Sequence, residues 1–392
     1  MITAPKVVGL GEACCGCGAC AAACRTGCLV MERDREGFLR PCVDVSLCVG
    51  CGRCDAVCPS LGLRGATEPI EVLWAKSRSE ELLDASSSGG LFGILGRYVI
   101  AEGGIVVGAA FVDGCKRVEH CIAEDREGLA RLQRSKYVQS IVPVDVYLRT
   151  AHALKEGRRV LFAGTACQVS GMRNYLGKLV DGGLFLSLDV ICHGVPSPLL
   201  WEKWLEHRSS IEGYEIDEVN FRSKTTGWSS YSVLYYVRTE KGASCACGGR
   251  YGDDWYMRAF LDNASLRPSC YSCPAKRACG SDVTLGDFWG FQALHPDVDS
   301  SKGVSAVLCN TERGTAFVHA ALGETEHGEA TYTEIAKGNP ALETSAAPHP
   351  ERAAFMDALA SDVPVKDMSR RWSFRDSFLS RAKSKLKRLL RH

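Results

Sequence analysis

The sequence predicts an α/β protein, with a mixed α+β sheet domain following a small α+β module at the N-terminus. Three observations carry this. Cysteines crowd the first 60 residues in two matching runs. The later apolar stretches Arg158–Ala163 and Leu184–Ile191 read as buried strands, and the first leads through a turn into a helix. Residues 214–240 then alternate apolar and polar, as antiparallel strands do.

The two runs are Cys14, Cys17, Cys20, Cys24 and Cys48, Cys51, Cys54, Cys58, the second followed by Pro59. Both read C-x2-C-x2-C-x3-C, the bacterial ferredoxin spacing, in which the last Cys of each run serves the other run's cluster. Three thiolates on a tight loop hold three iron corners of a cubane, and the fourth corner faces away. One 4Fe-4S cluster is therefore assigned to Cys14, Cys17, Cys20 and Cys58, the other to Cys48, Cys51, Cys54 and Cys24. Paired zinc sites also use C-x2-C pairs but gain nothing from the third evenly spaced Cys. Arg25 stands where the pattern usually has Pro, and Cys15 and Cys28 are either spare thiols or alternative ligands. Cys42, between the runs, has no assigned role.

At 392 residues the chain is expected to hold two or three domains. The 46% hydrophobic content allows real cores, and 47 basic against 46 acidic residues argue against a nucleic-acid partner. The first residues show no basic segment followed by an apolar one, and no apolar run reaches about 18 residues. With 21 cysteines, this points to a cytoplasmic, reducing setting and metal clusters rather than disulfides.

Taken in order, residues 1–65 form the ferredoxin-like module, with Met31–Arg33 and Phe38–Pro41 as a hairpin around Asp34–Gly37. Residues 66–150 begin with a linker. Glu71–Ser77 is a strand and Glu80–Ala85 a short helix. Ser86-Ser87-Ser88-Gly89-Gly90 opens a helix through Leu91, Phe92, Leu95, Tyr98 and Val99. Such a turn either binds phosphate through free N–H groups or is a plain N-cap. Ile105–Phe111 is a buried strand, and Leu129–Lys136 a helix or turn. In the third part, residues 151–345, the strand Arg158–Ala163 places Cys167 at a helix N-terminus, where the dipole lowers a thiol pKa. Leu184–Ile191 ends in Cys192-His193-Gly194. Sites form beyond the carboxyl ends of strands in such sheets. Cys270-x2-Cys273-Pro274 supplies two more metal-binding thiols. Cys167 and Cys192 would complete a third 4Fe-4S site, with Cys279 competing. Cys245 and Cys247 are unexplained thiols. Residues 346–392 form a tail with a helix over Glu351–Leu359 and, from Asp376, a basic amphipathic helix. That last helix either lies on an anionic membrane surface as a peripheral contact or docks on protein.

The chain resembles the coenzyme F420 hydrogenase/dehydrogenase beta-subunit family with a fused N-terminal ferredoxin domain. The marks are Ser87-Ser88-Gly89-Gly90, Lys136-Tyr137-Val138-Gln139-Ser140, Gly164-Thr165-Ala166-Cys167-Gln168, Ile191-Cys192-His193-Gly194-Val195-Pro196, Cys270-x2-Cys273 and Gly286-Asp287-Phe288-Trp289-Gly290, in that order over roughly residues 70–300. Ala166 stands where the family commonly has Pro. The resemblance implies FAD beside a 4Fe-4S cluster. It implies Cys167, Cys192, Cys270 and Cys273 as that cluster's ligands, and Ser88, Gly89, Gly90, Lys136, Tyr137 and Thr165 as flavin contacts. A flavin beside a cluster converts single electrons into a hydride equivalent. The expected function is an iron–sulfur flavoprotein oxidoreductase that exchanges electrons with a ferredoxin or an F420-like carrier. His193 is either a catalytic proton donor or a structural histidine. The alternatives are a non-catalytic electron-transfer subunit in a complex with other redox subunits, and a ferredoxin-dependent reductase alongside biosynthetic subunits for polysaccharide.

Overall fold

The computed structural model describes residues 4–62, 65–238 and 244–374. The N-terminal module is a hairpin, β1 (Leu29–Arg33) and β2 (Leu39–Val43), with two short helices, α1 (Ala19–Ala23) and α2 (Arg53–Ala56). The hairpin turns at Asp34, whose carboxylate accepts from the N–H groups of Glu36 and Phe38. This follows the expected hairpin.

The chain then builds one large sheet. Its strands are β3 (Glu71–Ser77), β4 (Ile105–Val112), β5 (Arg117–Ala123), β6 (Val160–Thr165) and β7 (Phe185–Val190). Three more, β11 (Val283–Asp287), β12 (Ser305–Cys309) and β13 (Thr325–Glu329), follow a separate antiparallel sheet made of β8 (Ile216–Ser223), β9 (Ser232–Arg238) and β10 (Ser244–Arg250). The order in the large sheet is β13-β3-β12-β11-β7-β6-β4-β5. The centre, β11-β7-β6-β4, is parallel, and both flanks are antiparallel. Because β3 pairs with β12 and β4 with β6, the expected boundary at 150 runs through a single sheet.

Central strands buried on both faces need apolar residues at every position, which Val160-Leu161-Phe162 and Phe185-Leu186 supply. Successive side chains alternate. Leu161, Leu186 and Leu188 pack with helix α4 (Leu91–Ala101), which follows the one-turn α3 (Glu80–Asp84). Val160, Phe162 and Phe185 face α6 (Val144–Lys155) and α7 (Ala166–Leu176). Between α4 and α6 lies α5 (Arg126–Leu132), capped by the Asp125 side chain. It replaces the expected helix or turn over Leu129–Lys136, which starts too late because the Asp125 cap sets the first turn. Lys136 falls in the loop beyond.

The smaller sheet packs with α8 (Pro198–Glu212), α9 (Trp255–Leu261) and two C-terminal helices around Trp201, Tyr235 and Tyr256. The short α10 (Phe291–Leu294), then α11 (Glu312–Ala321) and α12 (Tyr332–Gly338), precede those last two, α13 (Arg352–Leu359) and α14 (Val365–Arg371). The expected basic amphipathic helix from Asp376 lies outside the described residues. No helix among the described residues is long and apolar enough to cross a membrane.

The N-terminal module docks on α6 and α7. Cys17 and Ala19 join the apolar layer beneath the large sheet. Tyr147 Oη donates to the Cys17 carbonyl at 2.8 Å. Gly171 of α7 faces Cys17, and a Cβ there would stand 2.9 Å from the Cys17 sulfur. Only glycine lets α7 approach this closely.

Candidate metal centres and cofactor cavity

The two cysteine runs share one local design. Each central Cys is flanked by glycines of positive φ: Gly16 and Gly18 at 71° and 83°, Gly50 and Gly52 at 67° and 69°. Glycines in this conformation coil the chain tightly on either side of each central Cys. Cys14, Cys17, Cys20 and Cys58 are buried. Burial, then the neighbouring Cys14 and Cys58, pushes the Cys20 thiol up to about 12. Burial first, with Cys15 and Cys14 among the further causes, pushes Cys58 up to about 11. The set assigned to the first cluster thus occupies one neighbourhood. In the second run Cys48 and Cys54 are buried and Cys51 is exposed. Cys24 lies 3.5 Å from Cys28, so Cys28 stands beside the corner given to Cys24.

Among the described residues no three His, Cys, Asp or Glu side chains converge as the ligands of a single ion would. A cubane is several atoms across, so its thiolates surround a body rather than a point. The buried Arg267 supplies a further test of fit. Its guanidinium donates to the carbonyls of Cys14 and Leu39, each at 2.7 Å, and its Nη2 lies 3.6 Å from the Cys14 sulfur. A buried cation against thiolates fits an anionic cluster.

Beyond the carboxyl ends of β6 and β7 lies a small cavity lined by Cys15, Cys167, Cys192, Cys270, Cys273 and Cys279. Cys167 sits in the first turn of α7, where Thr165 and Gln168 form a reciprocal cap. Cys273 influences the thiols of Cys167, Cys192 and Cys270, so these four stand around one space. Burial first pushes Cys192 to about 11, and burial then Cys192 push Cys270 to about 12. Cys279, the competitor, is buried and bonded to Ser281 and Asp189. The thiol of Cys15, a spare thiol or an alternative ligand, reaches Cys167 from the N-terminal loop. Its place between two ligands was the only sequence signal for it.

A second cavity of about 530 Å³ adjoins the first, and both are lined by Thr165, Gln168, Cys192 and His193. Its volume lies in the range of cofactor pockets. Tyr137, Trp289, Tyr231 and Phe260 supply aromatic walls. Two buried nitrogens on its lining residues have no hydrogen-bond partner, His120 Nδ1 and Arg222 Nε. Aromatic walls with unspent polar atoms fit a planar heteroaromatic ring such as a flavin.

The expected flavin contacts divide. Thr165, Tyr137, Lys136, Ser88 and Gly90 line the cavity. Gly89 does not. Its N–H is spent on Ser305 Oγ at 3.1 Å, and a Cβ there would come within 2.4 Å of the Ala75 carbonyl. Gly89 is thus a packing glycine against β3 and β12, with its N–H already spent within the chain. Ser88 Oγ likewise donates to the Val304 carbonyl. The first turn of α4, with Gly90, Leu91 and Phe92, does face the cavity. Lys136 Nζ donates to the carbonyls of Arg131 and Gln133, and burial lowers its pKa to about 7. A lysine so placed is a weak countercharge for a bound anion. His193 Nε2 pairs with Asn263 Oδ1 at 2.6 Å, and burial lowers its pKa. The structural reading of His193 therefore has a named partner.

Sequence reasoning missed Arg222 and Asp287. Arg222 is buried, pairs with Asp287 at 2.9 Å and donates to Tyr137 Oη. It lies over the Tyr231 and Trp289 rings at 4.1 and 5.2 Å. Asp287 and Trp289 belong to the Gly286–Gly290 motif, but only packing reveals Arg222.

Residues 13–61 match the model of the 4Fe-4S dicluster domain. Residues 157–335 match the model of the C terminus of the coenzyme F420 hydrogenase/dehydrogenase beta subunit. No curated protein matches the chain. A solved structure of the xenon-derivatized F420-reducing NiFe hydrogenase complex from Methanosarcina barkeri is similar at 19% identity, covering 79% of this chain and 94% of that one, with a TM-score of 0.45. The chain thus carries a segment similar to the 4Fe-4S dicluster domain, followed by a longer segment similar to the C terminus of the coenzyme F420 hydrogenase/dehydrogenase beta subunit.

Proposed function

We propose that the chain is an iron–sulfur electron-transfer subunit of a hydrogenase- or dehydrogenase-type complex. In this reading it relays electrons between its N-terminal clusters and a flavin cavity in the large domain. One observation carries the reading: the six-cysteine cavity lies between the first cysteine run, through Cys15, and the 530 Å³ cavity, through Thr165 and Cys192. Cys167, Cys192, Cys270 and Cys273 would hold a third 4Fe-4S cluster there. Tyr137, Thr165, Arg222 and the first turn of α4 would hold FAD.

When bound, FAD would supply the exchange between one-electron and two-electron chemistry. The chain's own residues do the positioning. Thr165 and Gln168 cap α7 and so fix Cys167. Arg222 and Asp287 brace the cavity wall at Tyr137. Trp228 adds a bond from its indole N–H to Asp287 at 2.9 Å. Coenzyme F420 or another low-potential carrier would be the exchange partner.

The test is anaerobic purification, acid extraction and a flavin spectrum. About one FAD per chain is expected, either as purified or after reconstitution. Clusters without any flavin uptake would remove the flavin and leave a pure electron carrier.

A further inference from the structure

Arg267 has no exposed surface, yet it carries a full charge. Among the described residues no carboxylate forms an ion pair with it. Its donors go to the carbonyls of Cys14 and Leu39, to Gln139 Oε1 at 3.1 Å and toward the Cys14 sulfur, and its plane lies over the Phe38 ring. Its backbone belongs to the other candidate centre. The Arg267 N–H donates to the Val195 carbonyl, and the Cys270 N–H donates to the Arg267 carbonyl, both at 2.9 Å. One residue thus joins the Cys192–Pro196 loop, the Cys270 turn and the Cys14 loop. Among the described residues no buried cation is recorded against a sulfur of the second run: its central Cys51 is exposed, beside exposed Val49, Leu47 and Arg53.

A buried charge without a partner is costly by several kcal/mol. A cluster held by four thiolates is anionic, and the Cys14 sulfur is the atom that Arg267 approaches. We propose that Arg267 is the buried counter-charge of the cluster at Cys14, Cys17, Cys20 and Cys58, and that it raises that cluster's reduction potential above that of the second-run cluster. The proposal rests on the iron–sulfur reading of the first run. Each one-electron reduction adds one negative charge to the cluster, and a fixed guanidinium stabilises the reduced form more than the oxidised form. Hydrogen bonds to the ligand sulfur act in the same direction. Electrons arriving at the exposed second-run side therefore collect at the first-run cluster, beside Cys15 and Cys167.

The experiment is an anaerobic redox titration of the reconstituted full chain, followed by EPR, with dithionite as reductant. Arg267→Met should keep its iron and shift electron sharing between the two N-terminal clusters at least tenfold toward the second-run cluster. For one electron that is about 59 mV. Arg267→Lys, which keeps the charge, should stay within threefold of the wild type. Unchanged potentials in an iron-replete Arg267→Met protein would overturn the proposal. If Arg267→Met loses iron, Arg267→Lys decides: wild-type potentials support the proposal, while a tenfold fall despite the retained charge overturns it. Loss of iron from both variants also overturns it and leaves Arg267 a structural clamp. A wild type without cluster signals would instead defeat the iron–sulfur reading itself.

Discussion

The thiol of Cys15, on the loop of the first cysteine run, meets the thiol of Cys167 at the start of α7. These residues lie more than 150 positions apart, in the small module and the large sheet domain. The contact is held from both sides. Gln139 donates to the Cys15 carbonyl at 3.1 Å, and Tyr147 holds the Cys17 carbonyl. Because Cys15 is not needed to complete either ferredoxin-type set, Cys15→Ala should keep the full iron content. It should slow electron equilibration between the N-terminal clusters and the third site severalfold, measured by rapid-freeze EPR. Loss of about four iron atoms per chain would instead make Cys15 a ligand.

Asp282 ties the sheet to two helices. It is fully buried and accepts from the N–H and Oγ of Ser187, from Thr311 and from Arg313, with Arg173 at 3.6 Å. Removing a buried carboxylate leaves these donors uncompensated. Asp282→Ala should cost about 3–5 kcal/mol of stability. Chemical denaturation of the apo and loaded protein checks it, and a loss under about 1 kcal/mol would contradict the role.

Lys224 gives a pH signature. Its Nζ donates to the carbonyls of Leu83, Ser88 and Lys302, and burial lowers its pKa from 10.5 to about 8. Between about pH 8 and 10.5 the unfolded chain therefore binds the extra proton, so this residue's contribution to stability rises with pH. The contribution is complete above 10.5 and is lost as pH falls through about 8. The melting temperature of the wild type minus that of Lys224→Met should increase across that window. A constant difference would show that Lys224 titrates normally.

Much of this fold is legible in the sequence where a pattern is local. The doubled cysteine spacing defines the module, and continuous apolar runs mark β6 and β7 because both of their faces are covered. Glu71–Ser77 and the Asp34–Gly37 turn are equally plain. Other elements are not. The β5 strand and α6 go unnamed in the sequence reading, although Val146, Tyr147, Thr150, Ala153 and Leu154 lie on one helical face of α6. Gly89 reads as a phosphate-loop glycine, yet its constraint comes from β3 and β12, more than 200 residues apart in sequence. Arg267 and Arg222 carry no motif, since their partners are assembled only by packing.

A third cluster between the N-terminal module and the cavity would add about four iron atoms to the roughly eight of the two cysteine runs. Iron and acid-labile sulfide per chain, measured anaerobically on the wild type, Cys273→Ser and Cys279→Ser, test it most directly. About twelve iron atoms are expected in the wild type and in Cys279→Ser, and about eight in Cys273→Ser. About eight in all three proteins, or zinc with little sulfide, would contradict it.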